Sequence, residues 1–181
     1  MSLLGFVPWS MGRGIALCAL VVIVAASGAS AGPAPSVYRV GRVADGDTIT
    51  LRNGQRVRLV QIDTPEVYFG QECFGQEASA RTKKMLPPGT RVNLFPEPAG
   101  DRVDGFGRLL RYVVRISDKL NVNLRLVAVG AAAPWFYEGE RGRYAARMDK
   151  LARNAISKNL GLWRACPGTK YDPYEAIDTR R

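Results

Sequence analysis

Three short segments of this chain bring acids and arginines close enough to act together. Asp45-Gly46-Asp47-Thr48 sets two carboxylates one residue apart. Arg58-Leu59-Val60-Gln61-Ile62-Asp63-Thr64-Pro65-Glu66 carries an arginine, an acid five positions on, and a second acid after a proline; Asp104-Gly105-Phe106-Gly107-Arg108 ends a flexible turn on an arginine. The chemistry open to them is narrowed by an absence, because the 181 residues include no histidine. Ser-His-Asp hydrolysis, histidine-ligated zinc and a histidine general base are thereby excluded. Hydrolysis by this chain has to run on carboxylates, arginines and a hard metal ion.

Taken singly, each segment has an ordinary reading. Asp-Gly is a common turn, Arg58 suits a surface strand, Glu66 suits a solvated loop, and the run to Arg108 suits a plain connection. Strict alternation even parts two of the candidates: on a strand, Arg58, Val60 and Ile62 share one face, while Asp63 falls on the other. They meet only if the strand twists, bulges or ends before Asp63. Pro65 favours such an ending, because it biases Thr64 toward extended or turn backbone.

The elements that would position these residues can be read from periodicity. Residues 37–43, 48–52 and 56–62 are strand-like, and Asn53-Gly54 between the second and third predicts a tight hairpin. Residues 75–86 place Ala78, Thr82 and Met85 at helical spacing and stop at Pro87-Pro88-Gly89. Strands follow at 91–95 and 108–116. Residues 121–129 are ambiguous, since Val122, Leu124 and Leu126 alternate like a strand, yet Gly130 reads as a helix stop; a helix is the reading taken. A last helix spans 142–158, with Met148, Leu151 and Ala155 at a 3.6 period. The order β-β-β-α-β-β-α-α predicts an α+β fold, a small closed barrel with helices packed around it.

Composition adds a partner class and a compartment. Lys and Arg number 26 against 16 Asp and Glu, a formal charge of +10 that fits a polyanion partner, although surface charge also serves solubility. Residues 1–31 read as a secretory signal: Arg13, an apolar run from Gly14 to Ala26, then Ala29-Ser30-Ala31 as a cleavage site. The run is short for a spanning helix, which needs about 20 apolar residues. A secreted or periplasmic protein is expected, an uncleaved anchor being the alternative. Residues 32–36 form a linker, 37–165 the domain, and 166–181 a polar tail.

After processing, only Cys73 and Cys166 remain. An even pair in an oxidising compartment is expected to form a disulfide, the alternative being two buried free thiols. Two cysteines without histidine cannot build a structural zinc site.

Together the segments resemble the staphylococcal (micrococcal) nuclease, or thermonuclease, family. The resemblance is carried by Asp45-Gly46-Asp47-Thr48, by Arg58 with Asp63-Thr64-Pro65-Glu66, by Glu77-Ala78-Ser79-Ala80 and Thr82-Lys83-Lys84, by Phe106-Gly107-Arg108, and by Gly161-Leu162-Trp163. These run in order from about Val37 to Trp163. The resemblance implies a five-stranded OB-fold barrel with three helices, and a Ca²⁺-dependent nuclease acting on DNA and RNA; nothing in the sequence hints at more than a monomer. It places Asp47 and Asp63 as carboxylate calcium ligands, Thr64 as a carbonyl ligand and Asp45 as an acid beside the metal. Arg58 and Arg108 match the family's phosphate-binding arginines, and Glu66 matches the acid near the attacking water. Oxygen donors suit a hard cation, and planar guanidinium forks suit phosphate oxygens.

Two departures stand out. Phe106 replaces an expected tyrosine, and the loop after Glu66 holds Glu72 and Cys73 in place of lysines. Trp135, Phe136 and Tyr137 fall where the family stacks an aromatic on a base, with the register open and ordinary packing as the alternative. The competing reading of the whole chain is a catalytically silent OB-fold module that binds nucleic acid, although such modules lose acids or arginines that this chain keeps.

Overall fold

A computed structural model describes residues 36–68 and 70–180. The export signal and nearly all of the linker predicted above lie outside the described residues. Among the described residues, no helix is long and apolar enough to cross a membrane.

Five strands close into a barrel: β1 (Val37–Val43), β2 (Thr48–Leu51), β3 (Arg56–Leu59), β5 (Arg91–Phe95) and β6 (Leu109–Arg115), in the order β1-β2-β3-β6-β5. Closure depends on β1 serving two neighbours. Its first residues pair with β5 (Val37↔Asn93), and its later ones pair with β2 (Val43↔Ile49), with a register irregularity between Val40 and Arg42. That break bends the strand round the barrel, as bulges do. The barrel is filled by Val40, Ile49, Leu51, Val57, Leu59, Val92 and Tyr112, all essentially inaccessible.

Helices cover the barrel as the periodicity predicted: α1 (Gly75–Met85), α2 (Val122–Ala128) and α3 (Ala145–Ser157), with a single extra turn, α4 (Leu162–Ala165). The ambiguous segment is helical, and Asn121 caps it by accepting a hydrogen bond from the Leu124 N–H at 3.2 Å. Its apolar residues Val122, Leu126 and Val127 join the core beside Met148 and Ala152 of α3.

Two sequence expectations need correction. The hairpin between β2 and β3 is a four-residue turn, in which the Asn53 side chain accepts the Gln55 N–H at 3.1 Å. And β3 stops at Leu59 instead of running to Ile62. Val60 and Gln61 form a turn, with Gln61 in left-handed backbone (φ 62°), after which β4 (Ile62–Asp63) pairs with β7 (Ala133–Pro134). Arg58 and Asp63 are therefore freed from alternation by the turn at Gln61, not by Pro65.

Residues 166–180, read as a polar tail, fold back onto the domain, burying Ile177 and Thr179. Cys73 and Cys166 are joined as a disulfide that closes a separation of 93 residues. In chain-entropy terms such a cross-link stabilises by roughly 4 kcal/mol.

Candidate active site

The site forms where β2 begins, β3 ends and β6 begins. Antiparallel pairing sets Thr48 opposite Arg58, and the parallel β3–β6 pairing (Val57↔Leu109, Arg58↔Leu110) brings Arg108 alongside. The turn before β2 is shaped by Asp45, whose Oδ1 accepts the N–H groups of Asp47 (3.1 Å) and Thr48 (2.7 Å). Gly46 is required by close approach: a Cβ there would overlap the Thr64 side chain, coming within 2.7 Å of its Cβ and closer still to its Oγ1.

Thr64 in turn ties the two acid-bearing segments together. Its N–H and hydroxyl both donate to Asp47 Oδ2, at 3.2 and 3.1 Å. Arg58 then spans the pair of carboxylates, with Nη1 2.9 Å from Asp47 Oδ2 and Nη2 2.7 Å from Asp63 Oδ1. The guanidinium is held in that pose by the Leu59 and Ile62 carbonyls, which accept from Nη1 at 3.1 and 2.8 Å. All three side chains are buried.

Arg108 belongs to the same network. Asp104 accepts its Nε–H at 2.6 Å and its main-chain N–H at 2.9 Å. Its Nη1 donates to Thr48 Oγ1 at 3.3 Å, and that hydroxyl donates to Asp47 Oδ1 at 3.1 Å. A continuous chain of contacts thus runs Arg108, Thr48, Asp47, Arg58, Asp63. Glu66 lies exposed on the loop beyond Pro65. That loop is closed by Glu72, whose Oε2 accepts the Glu66 N–H at 3.1 Å while its own N–H donates to the Glu66 carbonyl at 2.9 Å. Helix α1 can abut the loop only because its first residue is Gly75, where a Cβ would overlap the Glu66 carbonyl oxygen.

The electrostatics are lopsided. Burial pushes the carboxyls of Asp47 and Asp63 above the ordinary carboxylate range, Arg58 opposing the rise in both. Glu66 is also raised, by burial first and then by Asp45 and Asp63. Four acids therefore surround Arg58, whereas Arg108 is already paired with Asp104, whose own carboxyl stays below its usual value because Arg108 outweighs its burial. Such an excess of negative charge, with Asp47 and Asp63 buried, calls for a cation.

Beside the network lies a cleft of about 550 Å³ lined by Arg58, Arg108, Phe106, Trp135 and Tyr137. Trp135 stacks under Arg58 (5.9 Å from ring centre to guanidinium) and meets Tyr137 edge-on at 5.4 Å. On the other side Phe106, largely exposed, packs against Arg108 at 5.3 Å. Phe136 points away from the cleft into the core and is fully buried. Of the three candidate aromatics, Trp135 and Tyr137 therefore line the cleft and Phe136 does not.

The staphylococcal nuclease homologue model matches residues 56–165, more than half of the chain. The chain belongs to the staphylococcal nuclease family. Among its relatives, a thermonuclease of Staphylococcus intermedius is 36% identical over 132 residues, covering 70% of this chain and 75% of that protein. The SPbeta prophage-derived endonuclease YokF of Bacillus subtilis (strain 168) is 34% identical over 128 residues, or 67% of this chain and 42% of that protein. Endonuclease YhcR of the same strain is 37% identical over 109 residues, 54% of this chain but only 9% of its own length. The chain thus spans less than half of either Bacillus protein. The family match begins at Arg56, so the grouping of Asp45, Asp47 and Thr48 with the matched residues rests on the geometry above.

The acids and arginines that the sequence singles out are brought together by the fold, whereas their supports are not legible in the sequence. Thr48 and Asp104 were visible only as parts of motifs, and Ile177 carried no signal at all.

Proposed function

We propose that the protein is an exported, calcium-dependent endonuclease that hydrolyses phosphodiester bonds of DNA and RNA, leaving 3′-phosphate and 5′-hydroxyl ends. The observation that carries this reading is the buried bridge of Arg58 between Asp47 and Asp63, linked through Thr48 to a second arginine that opens onto a cleft walled by aromatics. The relatives, a thermonuclease and two endonucleases, support the same reaction class.

Among the described residues, no three His, Cys, Asp or Glu side chains converge as a ready-made metal cage. The donors that fit are the carboxylates of Asp47 and Asp63 with the Thr64 carbonyl, hard oxygens of the kind Ca²⁺ prefers. Their lone pairs leave room. Asp47 Oδ2 already takes Arg58 and both Thr64 donors, but Asp47 Oδ1 accepts only Thr48, and each Asp63 oxygen accepts one donor. When bound, the ion supplies polarisation of the scissile phosphate and a place for the attacking water.

The chain's own residues do the rest. Arg58 presents its fork to a phosphate oxygen, and Arg108, braced by Asp104 and Thr48, faces the charge that develops on the departing 5′ oxygen. Glu66 orients or deprotonates the water, its carboxyl being raised above the ordinary range by partial burial and then by Asp45 and Asp63. Trp135 and Tyr137 offer a stacking wall to a base, which suits a site indifferent to the sugar. The disulfide and the apolar N-terminal run support export.

The deciding experiment incubates the purified protein with plasmid DNA and with RNA, in calcium and then in excess chelator. Cleavage of both in calcium, abolished by chelator and yielding 3′-phosphate ends, is expected. Substrate left intact in calcium, with binding retained, would instead establish a silent nucleic-acid-binding module.

A further inference from the structure

The C-terminal segment forms a strap whose two ends meet at one residue. It leaves the domain at Cys166, bonded to Cys73, and returns at Thr179, whose hydroxyl donates to the Cys73 carbonyl at 2.8 Å. Between these points it is held at intervals. The Tyr171 hydroxyl donates to Asp149 of α3 at 2.5 Å, the Pro173 carbonyl accepts the Phe136 N–H at 2.6 Å, and Arg141 donates to the Tyr174 hydroxyl at 3.1 Å.

Where the strap returns, it touches the site twice. The main-chain N–H of Ile177 donates to Asp63 Oδ2 at 3.0 Å, a contact across 114 residues, and the Ile177 side chain is buried there. Three residues on, Arg180 lies 3.3 Å from Glu72 Oε1, the acid whose other oxygen holds the Glu66 N–H. The strap therefore reaches the second oxygen of one proposed metal ligand and the loop that carries the proposed base.

We propose that Ile177 is a positioning residue: its N–H, carried by the disulfide-anchored strap, fixes the Asp63 carboxylate for calcium. The inference rests on the metal-dependent reading above. Asp63 has two anchors, and they differ in kind. Arg58 must also serve the substrate phosphate, so its hold on Oδ1 is shared during turnover. The Ile177 N–H has no other task, and it leaves a lone pair free on each oxygen. Supports of this kind, one bond behind a metal ligand, typically change metal affinity by about 10- to 100-fold when removed.

The test uses the full chain and calcium alone as the first ligand. Ile177→Pro deletes the donor and Ile177→Val keeps it. Calorimetric titration with calcium chloride should show affinity lowered about 10- to 100-fold in Ile177→Pro and unchanged in Ile177→Val. On DNA, Ile177→Pro should lose turnover at limiting calcium with the KM for DNA unchanged, and saturating calcium should restore it. A purely structural strap would lower the Tm in chelator but leave the calcium affinity of the folded chain at the wild-type value. If Ile177→Pro fails to fold, Thr179→Val in the full chain repeats the test, since it releases the end of the strap from the Cys73 carbonyl while keeping the disulfide and Ile177 itself. Calcium affinity equal to wild type in a folded variant overturns the role of the strap while leaving the nuclease intact. A wild-type chain with no calcium affinity overturns the metal-centre reading and the strap's role with it.

Discussion

Replacing Arg58 by lysine keeps the charge and removes the fork, so it isolates what the fork does. Two terminal nitrogens of Arg58 make four contacts: Nη1 with Asp47 Oδ2 and the Leu59 and Ile62 carbonyls, Nη2 with Asp63 Oδ1. A lysine has three donors on a single nitrogen, which cannot stand in both places, so one buried carboxylate must lose its cationic partner. The lost charge-assisted hydrogen bond is worth about 1.5–3 kcal/mol. Arg58→Met goes further and strips both acids, for which breaking a buried pair costs about 3–5 kcal/mol. Urea unfolding in chelator should therefore rank wild type above Arg58→Lys above Arg58→Met. In saturating calcium the gaps should narrow, because the ion supplies the missing positive charge. Turnover should not recover in the same way: a lysine offers the phosphate no planar fork, and loss of a preorganised donor to developing charge lowers kcat by about 10²- to 10³-fold. Wild-type stability and wild-type turnover in Arg58→Lys would refute the bridging role, since they would mean a point charge suffices.

Gly46→Ala should fold with a stability loss of about 1–3 kcal/mol from overpacking and a disproportionate loss of turnover. Its Cβ displaces Thr64, and with it both donors to Asp47 Oδ2; a shift of about 1 Å in a site costs about 10²-fold. A thermal melt and an initial-rate assay check this, and unchanged kcat would show that Thr64 has room to move. The pH dependence is the third expectation. Burial raises Asp47 to about 7, and Asp63 and Glu66 are raised as well. A carboxyl raised on folding gives stability that is present below its unfolded value and lost as pH climbs to its folded one, so the Tm in chelator should fall between about pH 4 and 7, the span of the Asp47 shift. Calcium needs the ionised carboxylates, so in saturating calcium these groups hold no protons in the folded chain and the fall should flatten over the same interval. Parallel slopes in the two series would contradict the assignment.

The site and its supports differ in how legible they are in the sequence, and the reason is physical. Asp47, Arg58, Asp63, Glu66 and Arg108 stand out because carboxylate and guanidinium side chains at these offsets match the motifs of the family. The turn at Gln61 is invisible to periodicity, since a two-residue strand such as β4 has no period to read. Asp104 looks like turn chemistry because it is turn chemistry, accepting the Phe106 and Arg108 N–H groups as well as gripping the Arg108 side chain. Ile177 is the extreme case. Its contribution to Asp63 is a main-chain N–H, which any residue but proline could provide, so composition carries no trace of it.

That difference bears on why this site tolerates so much buried negative charge. A carboxylate pair desolvated beside a single arginine is costly on its own account, and the chain lacks histidine to share the proton. What makes the arrangement tenable is the number of fixed N–H and O–H donors aimed at it: Thr64 twice and Thr48 once at Asp47, the strap once at Asp63. Each is neutral, so together they orient the acids without cancelling their charge. Replacing them with further arginines would stabilise the empty domain and, by the same stroke, repel a divalent cation. The donors come from three separate places along the chain, at Thr48, Thr64 and Ile177. Closing the barrel and closing the disulfide are therefore both conditions for the site, rather than a scaffold that merely carries it.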